Sequence, residues 1–316
     1  MPTTWSRRGF FTVTAAMTLI AACSTQKPGE VAKDGSTLVR HQFGDTTIPG
    51  PPQRVVSAGF TEQDALLALG VVPIATTEWF GGQPFAVWPW AQPKLGDAKP
   101  TVLNLTDGIQ VDKIAALKPD LIVATNAGLD ADTYTKLSEI APTVAQSGPE
   151  AFFEPWRDQA TQIGQAVFQN DAMTALIAGI DEKFKAVATS NPQFAGKKAL
   201  LLGGTLFRDS VQTHADWRTE FLTEMGFAVP PTPELIPRDD IASVLDAADV
   251  LIWTTESDQE RDALLADPTI AELRATTRKR HVFTSKDLAG AIAFASPLSY
   301  PVVADQLPAL LNQALT

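Results

Sequence analysis

The longest regular hydrophobic pattern in the chain lies at its middle. There Met173, Leu176, Ile177, Ile180, Phe184, Val187 and Ala188 recur three and four residues apart, which gathers them on one face of a helix. Asn170 suits the cap of its free N–H groups, Asp171 the positive end of its dipole, and Asn191-Pro192 its end. On the N-terminal side, short continuous apolar runs alternate with helical ones. Residues 54–59 read as a strand, 61–69 as a helix that Gly70 ends, and 71–75 as a strand. Residues 111–117 form a helix, 121–124 a strand, 133–140 a helix and 143–144 a strand. Between these, residues 76–97 crowd Trp79, Phe80, Phe85, Trp88 and Trp90 among glycines and prolines with no usable period. Beyond the central helix the order restarts: a strand at 198–202, a loop at 203–214, and a helix at 217–225 that Gly226 ends. A helical stretch at 240–246 then leads into a strand at 249–253. A segment at 270–274, a strand at 281–283 and a closing helix over 300–315 complete the chain. Continuous apolar strands separated by helices mark a parallel sheet covered on both faces. The repeated order predicts an α/β protein of two related lobes joined by the long central helix.

The first 22 residues stand outside that pattern. Ser6-Arg7-Arg8-Gly9-Phe10-Phe11 and the short apolar run to Ala22 form an export signal, too short to remain as a transmembrane helix. The paired arginines resemble the twin-arginine type. Ile20-Ala21-Ala22-Cys23 resembles the lipobox at which bacterial lipoproteins are cut and acylated. Cys23 is the chain's one cysteine, so the mature domain of 294 residues left from 316 is held by its core without disulfides. The expected divisions are a signal at 1–22, a lipidated tether at 23–36, an N-terminal α/β lobe at 37–154, a helical segment with the linking helix at 155–191, and a C-terminal α/β lobe at 192–316. The formal charge of −11 becomes −13 when Arg7 and Arg8 leave. That excludes nucleic acid as an expected partner and leaves membrane attachment to the lipid on Cys23.

The motifs of common catalysts are absent: no G-x-S-x-G, no phosphate loop, no G-x-G-x-x-G. His41, His214 and His281 stand in separate elements without partners at ligand spacing, so no directly bound metal and no resident cofactor is expected. In open α/β sheets, ligands sit beyond the carboxyl ends of the strands, and two lobes can face one cleft. That rule nominates Phe60, Trp79, Phe80, Trp88, Trp90 and Asn126 from the first lobe. From the second it nominates Phe207, Arg208, Trp217, Arg218, Trp253 and Thr255, with His214 nearby. Aromatic walls with one or two arginines suit a bulky, partly apolar, anionic or metal-chelate ligand.

Several segments carry a family resemblance. They are Pro52-Gln53-Arg54-Val55-Val56, Ala68-Leu69-Gly70-Val71-Val72-Pro73-Ile74, Ile114-Ala115-Ala116-Leu117-Lys118-Pro119-Asp120-Leu121-Ile122, Leu137-Ser138-Glu139-Ile140-Ala141-Pro142-Thr143-Val144 and Leu245-Asp246-Ala247-Ala248-Asp249-Val250-Leu251. Together they resemble the substrate-binding proteins of iron-siderophore ABC importers, over almost the whole mature chain. The resemblance implies two Rossmann-like lobes with mainly parallel sheets joined by one long rigid helix, a cleft for a ferric siderophore, and no enzyme activity. It implies as partners an importer permease with its ATPase, and a monomeric lipoprotein anchored to the outer face of the cell membrane. It also implies a carboxylate on each lobe that docks on permease arginines. Where related proteins carry Glu, this chain has Asp112 and Asp240, one methylene shorter. Haem or cobalamin is the alternative ligand within the resemblance, with Tyr300 or His214 as a haem axial ligand. An exported hydrolase with a hidden acid–base pair is the alternative from another class.

Overall fold

The computed structural model describes residues 26–316; the export signal and Cys23 lie outside the described residues. A hairpin of β1 (Thr37–His41) and β2 (Gly44–Ile48) comes first and forms a small sheet of its own. The first lobe then winds through β3 (Val55–Ser57), α1 (Glu62–Ala68), β4 (Ala75–Thr77), β5 (Thr101–Leu103), α2 (Val111–Leu117), β6 (Leu121–Ala124), α3 (Ala131–Ser138) and β7 (Thr143–Ala145). Its sheet has the order β5-β4-β3-β6-β7, parallel throughout. The fourth strand begins later than its apolar run implies. Pro73 has no N–H to give a ladder, and the Val71 N–H instead closes the preceding helix on the Leu66 carbonyl.

Two helices follow, where the sequence pattern shows one. α4 (Trp156–Ala166) packs on the first lobe, the chain reverses at Phe168 with φ of 62°, and α5 (Asn170–Ser190) runs back. The caps of α5 differ from expectation: Gln169 occupies the N-terminal cap without a side-chain bond, and Asn170 is already helical. At the other end Asn191 holds the Val187 carbonyl through Nδ2 at 2.8 Å.

The second lobe contains β8 (Ala199–Phe207), β9 (Ser210–His214), α6 (Glu220–Glu224), β10 (Leu235–Pro237), α7 (Ile241–Leu245), β11 (Val250–Thr254), α8 (Asp258–Ala266), α9 (Pro268–Ala271), α10 (Arg274–Thr277), β12 (His281–Phe283), α11 (Lys286–Phe294) and α12 (Tyr300–Leu315). Its sheet runs β10-β9-β8-β11-β12, with β8, β11 and β12 parallel and β9 and β10 antiparallel. β8, β11 and β12 stand as β3, β6 and β7 do in the first lobe, and a hairpin takes the place of β4 and β5. The expected loop at 203–214 is therefore corrected to a hairpin. Its two-residue turn places both Arg208 and Asp209 in the left-handed region, at φ of 49° and 64°. Without Gly or Asn at either position, that turn carries no local signal.

Alternate strand residues serve different cores. Val55, Leu121 and Val123 from one sheet and Leu201, Val250 and Ile252 from the other enter a single buried cluster with α4, α5 and α12. Val56, Ile122 and Ala124 face a cluster belonging to the first lobe, and Leu200, Leu251 and Trp253 one belonging to the second. Both faces of each sheet are covered, which is why the strands read as unbroken apolar runs. The shared cluster continues from lobe to lobe beneath the cleft.

Candidate ligand cleft

The carboxyl ends of the central strands open onto a cavity of about 420 Å³ between the lobes. Trp79 and Phe80 contribute one wall, Gly203, Gly204, Thr205, Phe207, Gln212 and His214 of the β8–β9 hairpin another. Leu201, Arg218, Thr254, Glu256, Glu260 and α11 complete the lining. The hairpin reaches the cleft because its register shifts between Leu202 and Leu206, where Gly203 and Gly204 sit. A Cβ on Gly204 would lie 2.3 Å from the Thr254 carbonyl oxygen, so only glycine lets β8 pass this close to the end of β11. The turn then carries Phe207 out of the core, 48% exposed, with the Arg208 guanidinium 5.0 Å above its ring.

The first-lobe wall extends behind Trp79. Phe60 stacks on that indole at a centroid distance of 5.5 Å, Phe153 lies tilted against it at 5.0 Å, and Phe152 stacks on Phe60 at 5.5 Å. Phe152 and Phe153 escaped the sequence reading; the one available signal was a pair of aromatic residues after the Ser147-Gly148-Pro149 turn that follows β7. Asn126 is buried and structural, its Oδ1 accepting from the Phe153 N–H at 2.8 Å and its Nδ2 donating to Thr61.

Several nominated residues belong elsewhere. Trp88 is 1% exposed and lies behind Phe80, stacked on Trp90 at 5.0 Å. Its ring rests on Gly290 of α11, where a Cβ would come within 2.5 Å of it. Trp90 is half-buried and donates its indole N–H to Asp64 at 2.8 Å. Trp253 is fully buried in the second-lobe core and donates to His281 Nδ1 at 2.9 Å. Thr255 is buried on the Thr284 carbonyl, and Trp217 packs against the shared core. Tyr300 lies in that core against Trp156 and Phe184, so it is no axial ligand in the cleft. Trp79, Phe80, Phe207 and Arg218 are thus brought together on the cavity, with Arg208 at its rim.

A family model described as periplasmic binding protein matches residues 55–288. The crystal structure of a periplasmic solute binding protein from Mycobacterium smegmatis shares 73% identity, covers 90% of this chain and 100% of its own, and superposes with a TM-score of 0.89. The chain belongs to the periplasmic binding protein family. Two Bacillus subtilis relatives are more distant. YhfQ, named as an ABC transporter substrate-binding lipoprotein, is 27% identical over 68% of this chain and 65% of its own length. YfiY, named as a siderophore-binding lipoprotein, is 30% identical over 55% of this chain and 52% of its own. The match therefore spans between about half and two thirds of these curated relatives.

The cleft of this binding protein is lined by both polar and apolar side chains. His214 Nδ1 is buried without a partner, and burial, with the Arg218 guanidinium adding to it, holds the ring below the usual histidine range. Arg218 itself is gripped by Asp216 through Nε at 3.1 Å and Nη2 at 2.5 Å. Among the described residues, no group of three His, Cys, Asp or Glu side chains is placed to hold a metal ion.

Beneath the first-lobe wall lie buried carboxyls. Burial pushes Glu62 up to about 7, although its oxygens accept from the Asn126 and Thr61 N–H groups at 2.8 and 3.0 Å. Glu154 is likewise pushed by burial to about 7, and Asp64 to about 6. Asp64 Oδ2 also accepts from the Ser296 hydroxyl at 2.6 Å, which ties α1 to the segment between α11 and α12. Lys286 donates from α11 to the Gly81 carbonyl at 2.8 Å. The aromatic segment after β4 is thereby fastened to the opposite lobe.

Asp112 and Asp240 are exposed, the first in the opening turn of α2, the second at the cap of α7. Neither carboxylate makes a capping bond, and neither has an ion-pair partner among the described residues. α2 precedes β6 as α7 precedes β11, so the two acids occupy corresponding places on the two lobes.

Proposed function

We propose that this protein captures a ferric siderophore in the cleft between its lobes and delivers it, without catalysis, to an ABC importer. The carrying observation is the cavity of about 420 Å³ walled by Trp79, Phe80 and Phe207. Large rings bury the organic envelope of a chelate at small rotamer cost. The iron arrives already coordinated, so the protein grips the envelope rather than the ion. Support comes from family membership and from the siderophore-binding name of one relative. Titrating the protein with ferric chelates and following quenching of tryptophan fluorescence tests the reading; saturable quenching by ferric but not by iron-free chelators is expected. No response to any ferric chelate would sink it.

Delivery requires a partner. Asp112 and Asp240, free and equivalent on the two lobes, are the proposed contacts for basic sockets on a permease coupled to its ATPase, with the binding protein acting as a monomer. The lipobox cysteine, Cys23, is the proposed anchor to the outer face of the cell membrane after export through the twin-arginine signal. One observation favours haem as a second ligand class: the unpartnered Nδ1 of His214 in the cavity lining. A Soret shift on adding haem that disappears in His214→Ala would support it, and the same spectrum in both proteins would refute it.

A further inference from the structure

The charges around the cavity do not balance. Its lining carries one guanidinium, Arg218, and two carboxylates, Glu256 and Glu260. The guanidinium is already spent on Asp216, with both Nε and Nη2 engaged. Neither Glu256 nor Glu260 has a cationic partner among the described residues. The neighbouring Arg261 turns instead to Asp258 and Asp262. Glu260 is fixed in place, its Oε2 accepting from the Glu256 N–H at 2.6 Å and its own N–H donating to Ser257 Oγ at 3.2 Å. This fixes the Glu260 carboxylate against the Glu256 backbone, just beyond the end of β11. The free guanidinium nearby, Arg208, stacks on Phe207 at the hairpin tip and does not line the cavity. The same lining carries Trp79 and Phe80, aromatic side chains of the kind whose ring quadrupoles attract cations.

We infer that the cleft selects ferric chelates of zero or positive net charge, with Glu256 and Glu260 receiving a cationic group such as a pendant ammonium. The inference rests on the ferric-chelate reading above and narrows it. A trihydroxamate neutralises ferric iron charge for charge, so its complex is neutral, or cationic where it carries a free amine. A tricatecholate or dicitrate complex stays anionic and would bring its charge against two unpaired carboxylates, with like charges opposed in a cleft of reduced dielectric.

The test compares five probes by tryptophan quenching. They are ferrioxamine B with its free ammonium, the same complex N-acetylated on that amine, ferrichrome, ferric dicitrate and a ferric tricatecholate. The expected Kd for ferrioxamine B is at least tenfold below those of the two anionic complexes and at least threefold below that of its acetylated form. In Glu256→Gln with Glu260→Gln, an acceptor remains for the Glu256 N–H. The advantage over the acetylated form should vanish while the variant keeps a single cooperative thermal melt. Equal or tighter binding of an anionic complex by the unaltered protein overturns the charge selection alone. So does an acetylation effect that survives in the double variant. Failure of all five probes overturns the ferric-chelate reading itself, and the selection with it.

Discussion

Gly290 and Gly179 both lie inside helices, and replacing each with alanine should move stability in opposite directions. Alanine in a helix interior is favoured over glycine by about 1 kcal/mol, chiefly because the unfolded chain loses freedom. At Gly179 of α5 a Cβ meets nothing within 4 Å, so Gly179→Ala should gain roughly that 1 kcal/mol. At Gly290 of α11 the Cβ would stand 2.5, 2.7 and 2.8 Å from three carbons of the Trp88 ring. That ring has no free side to retreat to, being 1% exposed and stacked on Trp90. Overpacking of this kind costs about 1–3 kcal/mol, and contact with three atoms of a fixed ring puts it near the upper end. After the helix gain, a net loss of about 2 kcal/mol remains, a fall in Tm of about 4 °C for a chain of this size. Because Trp88 backs Phe80, and Ala289, Ile292 and Ala293 of α11 line the cavity, Gly290→Ala should also weaken chelate binding. Thermal melts of both variants, with fluorescence titration of each, read the two effects. A Gly290→Ala protein that melts no earlier than the unaltered chain would refute the claim that Trp88 is wedged against α11.

Other perturbations separate cleft from core. Trp79→Ala should lose on the order of 1–3 kcal/mol of ligand affinity with little change in melting, whereas Trp88→Ala should lose about 3–5 kcal/mol of stability; a titration and a melt of each decide. Glu62, Glu154 and Asp64 hold protons to about 7, 7 and 6 in the folded protein but titrate near 4 when unfolded. The folded state therefore binds more protons between those values, and stability falls as pH rises from about 4 to about 7. Glu62 alone accounts for on the order of 3 kcal/mol of that fall, and Glu62→Gln should flatten the Tm profile across the window; an unchanged slope would show that the carboxyl is solvated. If Asp112 and Asp240 dock on a permease as proposed, Asp112→Lys with Asp240→Lys should leave chelate affinity unchanged and abolish uptake of radioactive iron by cells that depend on this protein. Lost affinity would relocate them to the ligand, and normal uptake would remove them from docking. Cys23→Ala should yield a folded protein that no longer fractionates with membranes; detergent-dependent fractionation of the variant would count against the lipobox.

The local chemistry of the chain determined the alternation of strands and helices and the repeat of that order across the central helix. Leu121–Ala124, His281–Phe283 and Tyr300–Leu315 appear where their apolar patterns place them; in Leu121–Ala124 burial on both faces writes a continuous signal, and in Tyr300–Leu315 one buried face writes a helical one. It also determined the candidate chemistry in outline: aromatic residues around position 80 and carboxylates on matching helices.

Which aromatic residue meets a ligand and which fills the core was decided only in three dimensions. Trp79 and Trp88 are alike as residues in one loop. One is half-buried and lines the cavity, and the other is pinned by a glycine 202 positions further along the chain. The hairpin that presents Phe207 and Arg208 depends on a turn with positive φ at two residues that rarely favour it, held from outside by the Arg238 bond to Asp209 at 2.6 Å. The charge of the cleft likewise depends on pairing. Arg218 is one more cation in the sequence and is paired with Asp216 in the fold, while Glu256 and Glu260, the second inside α8, are left without cations beside the site. Composition fixes how many charges a chain carries; only packing fixes which of them remain unpaired.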